Sequence, residues 1–179
     1  MKKTLGDKRN ELGEDHIEEL VHLATTFEEG KHADRRERWR RAYVYPNGDL
    51  LALYEGFGLL KLDKDSKLIW GRRNNAHHDL WVGPDGRIWI LSRTAHVVKG
   101  LRKDPVLEDF VVTLDADGDE VARFSVLEAV RGSDFATLVE HAPKHGDIFH
   151  TNTVEVLDGT GSDRAPFLAA GNVLLSMPN

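Results

Sequence analysis

His77-His78-Asp79-Leu80-Trp81-Val82-Gly83-Pro84-Asp85-Gly86 and His150-Thr151-Asn152-Thr153-Val154-Glu155-Val156-Leu157-Asp158-Gly159 follow one plan. In each, a His stands two residues before Asp or Asn and eight residues before Asp-Gly, with a strand-forming run between. A copy without the His runs from Trp39 through Tyr43-Val44-Tyr45-Pro46 to Asn47-Gly48. Recurrence of one strand-turn unit marks a repeat architecture.

Outward from these units the pattern is that of hairpins. Tyr43-Val44-Tyr45 and Leu50-Leu51-Ala52-Leu53-Tyr54 flank Pro46-Asn47-Gly48-Asp49; Leu59-Leu60-Lys61-Leu62 and Lys67-Leu68-Ile69-Trp70 flank Asp63-Lys64-Asp65-Ser66. Turn residues between β-branched and aromatic runs predict antiparallel pairs. A second set of four strands is predicted at 80–82, 87–91, 110–114 and 120–124, with an insertion over 93–107. Residues 127–141 read as a helical bridge. A third unit has one hairpin, 153–157 with 172–176. The expected fold is therefore all-β: propeller-like, four-stranded antiparallel blades, with a sandwich as the competing arrangement. About two and a half blades do not close a ring, so the propeller is expected to be incomplete: a piece of a longer protein, or one completed by a second chain. Residues 1–38 form a polar segment with a helix expected over 13–29, and 39–179 the partial propeller domain.

Composition narrows the function classes. The 179 residues carry a net charge of −6, with 40% apolar and 30% charged residues. An acidic chain offers no general attraction for nucleic acid, and Arg35-Arg36-Glu37-Arg38-Trp39-Arg40-Arg41 reads as a solvated boundary. The chain has no Cys, which removes disulfides, thiolate metal sites and a thiol nucleophile. No run approaches the ~20 apolar residues of a membrane span, and no apolar leader follows Met1-Lys2-Lys3, so a cytoplasmic location is expected of the chain as written.

A first blade strand lines the central channel, so His77 and His150, just before such strands, are expected to converge at one mouth. Imidazoles there serve as acid, base or nucleophile. Asn152 can donate to a developing anion, Asp79 can orient an imidazole, and Arg93 can bind an anionic oxygen group. Asp115-Ala116-Asp117-Gly118-Asp119 mimics a calcium loop, but position twelve is Val126, so a hairpin turn is expected. His141 and His145 have ligand spacing on a helix that Pro143 breaks. No metal site is expected.

The runs Ala76–Leu91 and Gly146–Val156, with Gly171–Ser176, resemble blade starts of the arylsulfotransferase family; the similarity spans roughly residues 40–179. The resemblance implies a propeller enzyme moving a sulfuryl group from an aryl sulfate to a phenolic acceptor. A His is transiently sulfated, with no cofactor, metal or nucleotide sulfate donor. His77 or His78 corresponds to the first active-site His of the family, and His150 with Asn152 to its His-x-Asn pair; the spacing to Asp-Gly favours His77. Better-known members are exported to the periplasm. The chain departs from the family at Met177-Pro178-Asn179, where members carry an Arg, and it lacks the later blade that bears their sulfated His. The alternative is a non-catalytic propeller segment that acts as a binding or assembly scaffold.

Overall fold

The computed structural model describes residues 39–101, 103–143 and 146–178. The helix expected over 13–29, and His145, lie outside the described residues. The first sheet is a meander of β1 (Trp39–Val44), β2 (Leu50–Tyr54), β3 (Gly58–Leu62) and β4 (Leu68–Arg73). The second is β5 (Ala76–Val82), β6 (Ile88–His96), β7 (Val106–Leu114) and β8 (Glu120–Ser125), each antiparallel to the next. This is the blade-by-blade, all-β order that the repeat predicts, in an open, propeller-like array.

Short acidic turns close the hairpins. The Asp63 carboxylate accepts the N–H groups of Asp65 and Lys67 at 2.9 Å each, and Asp115 accepts those of Asp117 and Asp119 at 3.0 and 2.9 Å. These are Asx turns, in which a side-chain oxygen substitutes for a backbone acceptor. Asp115 is thereby a turn residue, as the missing twelfth ligand indicated.

Between the first two hairpins the chain passes close to itself at Gly58. A Cβ there would stand 2.0 Å from the Arg72 carbonyl oxygen on the neighbouring strand, with backbone on both sides. Gly58→Ala is therefore expected to destabilise the protein by about 2 kcal/mol or more, since backbone cannot step aside as a side chain can. A urea midpoint unchanged from wild type would refute this.

Burial explains the strand composition. Leu51, Ala52, Leu53 and Tyr54 are all buried, so β2 is apolar throughout rather than alternating. One core lies between the two sheets: Leu51, Leu53, Leu59 and Trp70 meet Ala76, Leu80, Ile88, Ile90, Val112 and Leu114. On the other face of the second sheet, Leu91, Val106 and Val111 meet Val126, Leu127, Ile148, Phe149 and Val154. The period-2 alternation of β6 and β7 sends Ile90 and Leu91, or Val111 and Val112, to opposite cores.

The second sheet departs from expectation at its outer end. Instead of an insertion over 93–107, β6 and β7 run on for nine residues each, pairing as far as His96 with Val106. β8 covers β7 only from Phe110 to Leu114. The edge left free at Val106 and Leu107 pairs in parallel with β9 (Gly146–Asp147). The expected bridge over 127–141 is two short helices, α1 (Val126–Arg131) and α2 (Thr137–His141), interrupted at Gly132. Ser125 caps α1 by accepting the Glu128 N–H at 3.0 Å, and its hydroxyl also donates to Glu108. The third unit is the hairpin of β10 (Thr153–Val156) and β11 (Val173–Ser176), joined by a loop with a 3-10 turn at Pro166–Leu168. No helix among the described residues is long and apolar enough to cross a membrane.

Candidate functional site

β5 carries the centre of the site because it is bulged. His77 pairs with Leu91 on β6, yet Leu80 pairs with the very next residue, Ile90. His78 and Asp79 are the extra residues, and a bulge of this kind re-aims side chains. His78 takes a left-handed φ of 59°, and His150 one of 50°. Such a backbone is uncommon for a residue other than Gly and marks places where surrounding structure holds the chain against its preference.

The consequence is a change of partner. The equal spacing to Asp-Gly favours His77 as the counterpart of His150, but the two left-handed residues are His78 and His150, and they are the two that meet. Their Nε2 atoms lie 3.3 Å apart and their rings pack edge to face at 4.8 Å. His77 is fully buried behind them, its Nδ1 2.9 Å from Nδ1 of His78. Counting from Asp-Gly misses this because the bulge is absent from the β10 copy.

Carboxylates hold both ends of the imidazole row. Asp147, on β9, accepts the His150 N–H at 2.9 Å, and its Oδ2 lies 2.8 Å from His150 Nδ1. At the buried end, Asp109 Oδ1 lies 3.3 Å from His77 Nε2, off the line of a good hydrogen bond, while its Oδ2 accepts the Thr151 N–H at 2.8 Å. Burial pushes the Asp109 carboxyl upward, but the hydrogen bonds from His77 and Thr151 together outweigh that and leave it below the ordinary value. Glu55, just past β2, accepts the His78 N–H at 2.9 Å and brings Oε1 to 3.2 Å from His78 Nδ1. Burial is the largest influence on His78 and takes its imidazole down to about 4; Glu55 opposes the shift, while His77, Arg40 and His150 add to it. His78 is therefore neutral at pH 7.

The remaining sequence candidates are distributed around this row. Arg93 reaches two carboxylates, Asp147 at 3.0 Å and Glu55 at 3.2 Å, so its charge is engaged in holding the acids. Asp79 does not orient an imidazole. It is buried, its Oδ2 accepts the Val154 N–H at 3.1 Å, and its Oδ1 pairs with Arg41 Nε at 2.9 Å. Asp79 thus ties the β5 bulge to β10. Asn152 is half-buried and donates its backbone N–H to Ser176. Arg40 lies 3.8 Å from Glu55. So two guanidiniums of the predicted solvated boundary are paired to site carboxylates, although both residues stay exposed.

No protein-family model matches the chain, and no curated protein matches its sequence. What the site can do rests on its own geometry. Carboxylates accept and never donate when ionised, so the proton on His150 sits on Nδ1, facing Asp147. In the neutral ring Nε2 then bears a lone pair, with the His78 Nε2 opposite it at 3.3 Å. A lone pair oriented by a carboxylate is the equipment of nucleophilic catalysis.

Proposed function

We propose that this chain forms a sulfuryl-transfer centre, moving the group from an aryl sulfate to a phenolic acceptor through a sulfated histidine. The observation that supports it best is the His150–His78 pair: two imidazoles from different repeats, Nε2 to Nε2 at 3.3 Å, with Asp147 on the far nitrogen of His150. His150 is half exposed and so accessible to a substrate.

In the first half-reaction His150 Nε2 attacks sulfur in line. The N–S bond forms, the S–O bond to the aryl group breaks, and the phenolate leaves on the side of sulfur opposite His150 and takes its proton from solvent. In the second, the acceptor oxygen attacks sulfur as its phenolic proton passes to solvent, and the S–N bond breaks. Asp147 stabilises the charge that His150 gains. Asn152 supplies a donor to the sulfuryl oxygens, a role brought over from the family resemblance; such donors are worth about 3–4 kcal/mol in comparable sites. Arg93 positions Asp147 rather than substrate.

The direct test is to incubate the protein with an aryl sulfate alone and quench it. The expected result is one equivalent of released phenol and a peptide containing His150 heavier by one sulfuryl group, with the label discharged by added phenol. No phenol release and no modified His150 peptide would leave only binding, the role expected of a scaffold segment.

A further inference from the structure

Protons run out in the middle of the imidazole row. Starting from the surface, Asp147 fixes the His150 proton on Nδ1, which places the His78 proton on Nε2 and leaves His78 Nδ1 a bare lone pair. Starting from the interior, Asp109 against His77 Nε2 fixes the His77 proton there and leaves His77 Nδ1 bare as well. These two lone pairs lie 2.9 Å apart, and the Glu55 Oε1 lone pairs lie 3.2 Å from His78 Nδ1. Three potential ligand atoms face one another, all within 4.8 Å, and with each ring in its neutral form no proton is left to put between them. The local charge is also unbalanced: among the described residues, Glu55, Asp109 and Asp147 face the guanidiniums of Arg40 and Arg93 alone.

We infer that His77 Nδ1, His78 Nδ1 and Glu55 Oε1 form a site for a divalent transition-metal ion of the zinc type. Two imidazoles and one carboxylate are a three-ligand set that zinc accepts, with a fourth position left for water or substrate. Nitrogen donors select zinc, cobalt or nickel over calcium and magnesium. Bonds of about 2.0–2.1 Å in a tetrahedron hold ligand atoms about 3.3 Å apart, close to the 2.9 and 3.2 Å that separate His78 Nδ1 from its two neighbours, with all three atoms within 4.8 Å. The outer contacts suit the assignment. Metal-bound His usually turns its other nitrogen toward a carboxylate, and Asp109 lies 3.3 Å from His77 Nε2; ligating carboxylates are themselves held, as Glu55 is by Arg93 and the His78 N–H. The cationic Arg40 and Arg93 work against an added ion, but they are outnumbered by the three carboxylates. The inference does not depend on sulfuryl transfer. A metal on His78 Nδ1 would hold that ring in the Nε2–H form opposite His150 Nε2, and it would turn the local charge positive.

The test needs no turnover. The full chain, stripped with chelator, is titrated with Zn²⁺ by calorimetry and with Co²⁺ by visible absorption. The expected result is one saturable ion per chain, with the absorption of a low-coordinate nitrogen and oxygen site. Glu55→Gln, which keeps shape, and His78→Asn, which tolerates the left-handed backbone, should each weaken binding at least ten-fold. Asp109→Asn should weaken it about 10–100-fold through His77. His96→Ala, at the separate Glu108 pair, should leave it unchanged. Absence of saturable binding by the wild type would show that the gap holds a proton, and equal affinity in Glu55→Gln and His78→Asn would place the ion elsewhere. Either result overturns the inference.

Discussion

His150→Asn should abolish turnover of an aryl sulfate while leaving the fold intact, a fall in kcat/KM of about three orders of magnitude or more. Asn is the informative replacement because position 150 has a φ of 50°, where Asn is tolerated better than Ala. The side chain is half exposed and its polar contacts are with Asp147 and His78, so little stability should be lost with it. His78→Asn removes the ring that packs against the nucleophile and should lower kcat less than His150→Asn does. His77→Ala should behave differently. Its ring is fully buried, so the variant should lose stability first and activity only as a consequence. Comparable transfer rates for folded His150→Asn and wild type would discard His150 as the nucleophile and the reaction with it.

That contrast between His77 and His78 shows where the sequence stops being readable. Strand composition and turn chemistry locate ten of the eleven strands among the described residues, because alternation and Asx turns are local properties. Leu53 and Ile90 could be placed in a core from their neighbours alone. The bulge at His78 and Asp79 is not local in this sense: its cause is the fit of β5 between β6 and β10, through the Asp79 bond to Val154, 75 residues away. A bulge of two residues defeats counting along the chain.

The same reason hides the carboxylates. Glu108-Asp109 beside Phe110-Val111-Val112 reads as the polar edge of a strand, so the strand was expected to begin at Phe110. In the structure β7 begins at Val106, and both acids are buried inside it. The usable signal was a pair of acids at the head of an apolar run with no Gly, Asn or Pro to make a turn. Glu55 follows Tyr54 directly and gave no signal beyond its position at the end of β2. Asp147, three residues before His150, was visible as a neighbour, but its function needs β9 to pair with β7. Short-range pattern thus yields the sheets and names all three histidines, but it matches His150 with His77 where the rings that meet are His150 and His78. The acids that orient the rings come from strands whose pairing only the tertiary structure reveals.

The second large effect follows from that arrangement. Asp109→Ala should cost about 1–3 kcal/mol of folding stability, the range for leaving a buried hydrogen-bond donor without its acceptor. Its carboxylate is almost completely buried, yet it serves two segments distant in sequence: the Thr151 N–H just before β10, and the imidazole of His77 on β5. Removing it leaves the buried Thr151 N–H without its acceptor and the buried His77 ring without the carboxylate beside it. Asp109→Asn keeps an acceptor for Thr151 and loses the charge opposite His77, so it should fall between wild type and Ala. The ordering separates the two contributions: if Asn matches Ala, the interaction with His77 dominates, and if Asn matches wild type, the Thr151 bond carries none of its stability through charge. Urea unfolding at neutral pH reads all three proteins on one scale, with equal slopes required for the comparison. An Asp109→Ala midpoint within experimental error of wild type would mean that the strands carrying the imidazoles are fixed without this carboxylate, and that the histidine row is held by packing of the two cores alone.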